Sequence, residues 1–138
     1  MSTRKFALIF GVVFLIVGLA GFVPPLLQPA QGGAIAPGVH HMLLLGMFPM
    51  NWLHSLVHIG FGGWGLFASR VQARALLYAR GVAIIYVVLW LAGYVPGLDD
   101  MFGTLPLYGN DTWLHLLLAL VAAYFGWVNR SPTISSRT

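Results

Sequence analysis

The chain has 138 residues, enough for one domain, of which 59% are hydrophobic and only 7% charged; a soluble domain carries about 25% charged residues, so water is not its main solvent. It contains no Cys, which excludes disulfides, thiolate metal sites, iron–sulfur clusters and covalent c-type haem. The formal net charge of +4 invites a nucleic-acid reading, but the basic residues mark the ends of apolar segments and form no patch with interleaved aromatics.

In chain order, Arg4 and Lys5 precede a first charge-free stretch at residues 6–23. Its length is at the short end for a helix that spans a bilayer. A basic start, an apolar run and small residues at Gly18 and Ala20 also fit a signal peptide; the internal repeat described below argues for retention. Residues 24–38 are rich in Pro, Gly, Ala and Gln and are expected to be irregular. Residues 42–50 are too apolar for free solvent and are expected to lie on the outer membrane surface or to cap the bundle. A second charge-free stretch runs over 52–69, a third over 81–96 and a fourth over 112–128.

The charges orient these four stretches. Arg4, Lys5, Arg70, Arg74, Arg80, Arg130 and Arg137 fall before the first, between the second and third, and after the fourth. Asp99, Asp100 and Asp111 all fall between the third and fourth. The positive-inside rule then predicts four transmembrane helices with both termini and the middle connection in the cytoplasm.

The halves repeat. Leu-Ala-Gly-Phe-Val-Pro at 19–24 recurs as Leu-Ala-Gly-Tyr-Val-Pro at 91–96, and Trp-Leu-His at 52–54 recurs at 113–115. Gly-Met-Phe-Pro-Met at 46–50 is similar to Gly-Thr-Leu-Pro-Leu at 103–107. The expected fold is therefore an all-α membrane bundle forming one domain over 1–138. It is built from two copies of a helical hairpin, about 6–69 and about 81–128, related by a pseudo-twofold along the membrane normal.

Helical spacing puts His54, His58, Gly62, Gly65 and Ser69 on one face. The repeat carries four of them to His115, Ala119, Ala123 and Gly126. Polar groups avoid lipid and small residues let helices approach closely, so this face is expected to line the interior. Opposite it stand Gly11, Phe14, Gly18 and Gly21 in the first helix and Ala83, Tyr86, Trp90 and Gly93 in the third. His54 and His115 fall about one turn below the outer surface, and His58 roughly 10 Å down. Tyr86 reaches a similar depth from the other side and is expected to hydrogen-bond His58.

Two readings of the histidines stand. Imidazoles ligate haem iron, chlorophyll magnesium, zinc or copper, so His54, His58 and His115 are candidate cofactor ligands, with the glycine strip admitting a flat macrocycle. Alternatively His54 and His115 are interfacial residues beside Trp52 and Trp113, and His58 is a buried, hydrogen-bonded group. The clustering of His40, His41, Met42, Met47, Met50, His54, His58, Met101 and His115 toward the outer half also suits copper, against a bland account of Met packing in apolar loops. Asp111, four residues before His115, either orients that imidazole or caps the fourth helix with Asn110 or Thr112; Asn51 is the matching cap of the second. Gly60, Gly62, Gly63 and Gly65 mark either a passage or, preferably, close packing. No serine–base pair, phosphate loop or paired carboxylates appear, so no enzyme is expected.

The run from Asn51 through Trp52, His54 and His58 to Gly62 and Gly65 resembles the signature of a bacterial membrane family catalogued as domain of unknown function 4383. Tyr86 and the Asp111 to His115 start of the fourth span are similar to that family too, and the similarity reaches from the first helix to Trp127. Ser55 and Thr112 stand where the family pattern has Asn. The resemblance implies a four-span protein of the bacterial inner membrane and supplies no activity. Three functions remain expected: a structural or accessory subunit of a larger membrane complex, a histidine-ligated carrier of haem, chlorophyll or a metal, or a small transporter or sensor. The lipid bilayer is a partner in each.

Overall fold

The structure, a computed structural model, describes residues 1–29 and 42–129. Expectations for residues 30–38, His40, His41, Arg130 and Arg137 lie outside the described residues. The fold is mostly helical: α1 Thr3–Ala20, α2 Trp52–Ala68, α3 Gln72–Ala92 and α4 Asn110–Ala123, which continues as a wider π turn over Tyr124–Val128. Three helical segments, Thr3–Ala20, Gln72–Ala92 and Asn110–Val128, are long and apolar enough to cross a membrane. Helix α2 has 17 residues, about 25 Å of rise, and no charged residue.

Charge is a poor marker of where these helices begin. Helix α1 starts at Thr3, capped by Ser2, whose side chain accepts the Lys5 N–H at 3.3 Å. Helix α3 starts at Gln72, ahead of the charge-free stretch, because Ala, Leu, Gln and Arg are strong helix formers and the first turns carry Arg74 and Arg80 within them. The arginines then reach along the surface. Arg74 lies over the Phe67 ring at 4.6 Å and Arg80 over Trp127 at 5.6 Å, while Arg80 Nε donates to the Gly126 carbonyl at 2.9 Å. The connection between α2 and α3 is thus only residues 69–71.

The expected all-α architecture is corrected in the connection between α1 and α2. After a short 3-10 turn at Pro24–Leu26, strands β1 Leu27–Pro29, β2 Met42–Leu44 and β3 Phe48–Met50 form an antiparallel sheet in the order β1-β2-β3. Leu27 stands opposite Leu44, and Leu44 opposite Phe48. The β2–β3 turn uses left-handed backbone at Leu45 (φ 54) and Gly46 (φ 73). An apolar segment pressed onto the bundle must pair its own backbone groups, and a hairpin does so where nine residues broken by Gly and Pro make a poor helix. Leu44, Pro49 and Met50 turn inward and are buried.

Helix α1 packs chiefly on α2, and α3 on α4. Glycines set the first contact. A Cβ on Gly11 would lie 2.8 Å from the Leu66 backbone nitrogen, and one on Gly65 2.8 Å from the Ala7 carbonyl oxygen. A Cβ on Gly21 would collide with Ser55 Oγ. The glycine strip is therefore filled by α1. On α4 the buried small residues are Ala119 and Ala122, followed by Gly126, with Ala123 only half-buried. Ala122 takes the buried place expected of Ala123. Between the pairs, Phe6, Phe14, Tyr78, Val82, Tyr86 and Phe125 build an aromatic core. Leu8, Val12, Ile16, Ile84, Val88, Leu117 and Leu120 point outward, the arrangement that lipid favours and water does not.

Candidate functional site

The N-terminal ends of α2 and α4 carry the polar chemistry. Asn51 caps α2 with its side-chain oxygen, accepting the His54 N–H at 2.8 Å, and its amide donates to the Thr104 carbonyl at 2.8 Å. Asn110 mirrors this from α4: its amide donates to the Met47 carbonyl at 3.0 Å and its oxygen accepts from Trp113 Nε1 at 3.3 Å. Each asparagine thus laces the start of one helix to the other outer connection. In that second connection burial, then the charges of Asp100, Asp99 and Asp111, push the Tyr108 phenol up from its ordinary value, so it stays neutral.

Beneath this lacing His54, His115 and Asp111 meet. They are 3%, 3% and 4% exposed, and each offers one ligand atom within 4.8 Å of the other two. His54 Nδ1 lies 3.8 Å from Asp111 Oδ2. Asp111 Oδ2 and His115 Nδ1 are buried without a hydrogen bond, a costly state for polar atoms in an apolar interior.

Asp111 is not the cap of α4. The cap position is Gly109, with no side-chain bond, and Asp111 sits in the first turn with its carboxylate turned toward the histidines. Thr112 instead bonds backward, donating to the Leu107 carbonyl at 3.2 Å. The expected Tyr86–His58 hydrogen bond is absent too. His58 Nδ1 donates to the His54 carbonyl at 3.0 Å, one turn back on its own helix, which leaves the second ring nitrogen as an acceptor. Tyr86 meets His115 edge-on, with ring centroids 5.1 Å apart, and stacks on Phe14 at 5.7 Å. His58 also packs edge-on against Phe14 at 5.6 Å. It therefore stands below the three-residue group, wedged among rings.

Of the sequence candidates, His54 and His115 come together, His58 stays one turn deeper, and Asp111 joins as a potential ligand. The signal for Asp111 was its i, i+4 spacing to His115, which puts both on one helix face. Among the methionines, Met50 is buried with Cγ 3.2 Å from where a Gly21 Cβ would stand, and Met47 is exposed. The profile of a family described as "Domain of unknown function (DUF4383)" matches residues 4–128. No curated protein and no solved structure matches the chain.

Proposed function

This chain belongs to the family described as domain of unknown function DUF4383, and on that premise we propose that it is a four-span membrane protein holding one divalent transition-metal ion at the outer end of its bundle. The observation that carries the reading is the buried group of His54, Asp111 and His115. Two imidazoles and a carboxylate are a ligand set for zinc, with copper as its strongest competitor. His54, Asp111 and His115, whose ligand atoms lie within 4.8 Å of one another, would hold such an ion. A fourth position stays open to water or a further ligand.

A single ion is favoured over haem or chlorophyll because α1 fills the glycine strip that a macrocycle would need. His58, with Nδ1 committed to the His54 carbonyl, supports the ring packing beneath. In this reading α2 is the fourth span. Arg4, Lys5, Arg70, Arg74 and Arg80 mark the cytoplasmic end, and Asp99, Asp100 and Asp111 the outer end of a protein of the bacterial inner membrane.

A second reading, an accessory subunit of a larger membrane complex, is favoured by the bulky side chains displayed around the outer rim. Trp52, Tyr94 and Phe102 are 65%, 67% and 80% exposed, and aromatic residues are enriched where membrane proteins meet partners or headgroups.

The test is elemental analysis of the protein purified in mild detergent, metal-stripped and reloaded with zinc. One ion per chain, lost in His115→Ala, supports the carrier. Failure of the wild type to retain zinc or copper, with a stoichiometric protein partner co-purifying, moves the assignment to the accessory subunit.

A further inference from the structure

At the opposite end of the bundle a cavity of about 380 Å³ is lined by Ser2, Arg4, Lys5, Leu8, Ser69 and Arg70. Three cations meet there from the start of α1 and the end of α2. The chain has only three acidic residues, Asp99, Asp100 and Asp111, and all belong to the outer connection or the first turn of α4. Among the described residues no carboxylate therefore stands at this end.

The cations differ in how they are committed. Arg80 is engaged with Gly126 and Trp127, and Arg74 with Phe67. Arg4 Nε donates to the Ser69 carbonyl at 2.9 Å, which satisfies a carbonyl at the end of α2 and holds the guanidinium over the cavity. Lys5 Nζ and the Arg70 guanidinium have no hydrogen-bond or ion-pair partner among the described residues. Below the cavity, Leu8, Val12 and Ile16 follow one another at i, i+4 spacing on the outer surface of α1, 46%, 42% and 61% exposed. A basic recess thus opens directly onto an apolar track.

We propose that this cavity binds the phosphate of an anionic phospholipid, with Arg4, Lys5 and Arg70 around the headgroup and an acyl chain along Leu8, Val12 and Ile16. Basic pockets between helices on the cytoplasmic side recognise such headgroups, and a guanidinium held by its Nε presents its remaining donors to phosphate. The apolar track distinguishes a lipid from free phosphate, which would have no use for it. The inference is independent of the metal reading and draws on the four-span reading only in setting this end at a leaflet.

The experiment is native mass spectrometry of the full chain released from nanodiscs containing equal phosphatidylglycerol and phosphatidylcholine. A parallel arm measures the thermal transition with added inorganic phosphate. The wild type is expected to retain phosphatidylglycerol selectively. Retention should weaken roughly fivefold for each of Lys5→Gln and Arg70→Gln, the factor expected for one surface cation. Neither side chain makes a contact that the fold needs, so helix content by circular dichroism should not change. Equal retention of the two lipids, or unchanged retention in the double variant, would overturn the proposal. So would stabilisation by millimolar phosphate that vanishes in the same variants. A chain with the proposed topology and no lipid selectivity would sink this inference and leave the four-span reading standing.

Discussion

Asp111 Oδ2 lies 3.8 Å from His54 Nδ1, across the junction between the α1–α2 and α3–α4 pairs. That distance is too long for a hydrogen bond and short enough for two ligands on one ion. It is also within ion-pair range, and a metal site and a polar cluster make different predictions.

Asp111→Asn keeps the shape but replaces the charged ligand with a weak neutral one. Zinc affinity, measured by competition with a chromogenic chelator, is expected to drop about 10–100-fold. His58→Ala is expected to leave the one-to-one zinc stoichiometry intact, because His58 is turned to the His54 carbonyl. Equal losses from both variants would show a polar cluster that depends on general packing.

Zinc binding should weaken as pH falls. Histidine ligates as the neutral imidazole and carboxylate as the anion, so protons compete with the ion for the same atoms. A titration in detergent should show affinity rising with pH and approaching a plateau once the ligand atoms have all lost their protons. A pH-independent affinity would mean that the ion sits elsewhere.

Glycines on α1 and α2 should respond in opposite directions. Gly11→Ala places a Cβ 2.8 Å from the Leu66 backbone nitrogen, and backbone cannot step aside. The expected destabilisation is about 1–3 kcal/mol, read by steric trapping or detergent unfolding. Gly63→Ala meets nothing within 4 Å and should be neutral or stabilising by up to about 1 kcal/mol through helix propensity.

Asn51→Ala removes both the α2 cap and the tie to Thr104. Loss of a cap costs about 1 kcal/mol. Hydrogen exchange should accelerate over β2, β3 and the first turn of α2 while α3 is unaffected. A uniform acceleration would mean that the outer connections do not act as a separate unit.

Topology is testable because the native chain has no Cys. Single cysteines at Ser2 and at Phe102, the latter 80% exposed, should label from opposite sides of intact cells. Labelling of both from one side would remove the four-span arrangement.

Much of this was legible in the sequence. The small-residue faces and the inward histidines follow from helical spacing, because a membrane interior punishes a misplaced polar group on any face. What escaped were features decided by competition. His58 was expected to seek Tyr86, but a carbonyl one turn away on its own helix was already within reach. For Asp111 the sequence leaves both a cap and a partner of His115 open, since an Asp near a helix start often caps it. Its place on the His115 face follows from i, i+4 spacing, whereas its meeting with His54 from the other pair is encoded by no local pattern. The β2–β3 hairpin has neither a helical nor an alternating period, and left-handed backbone at Leu45 is foreign to that residue type. The early start of α3 was hidden because Arg74 and Arg80 were read as boundaries, whereas long side chains let a helix carry charge to the membrane surface.

The short link at residues 69–71 bears on the order of biogenesis. Each helical pair closes between sequence neighbours, so the first can form while the second is still being synthesised. His54 belongs to the earlier pair, whereas Asp111 and His115 belong to the later one. The side chains of these three residues therefore meet only when the last helix docks, and in the proposed reading capture of an ion would mark a chain whose assembly is complete.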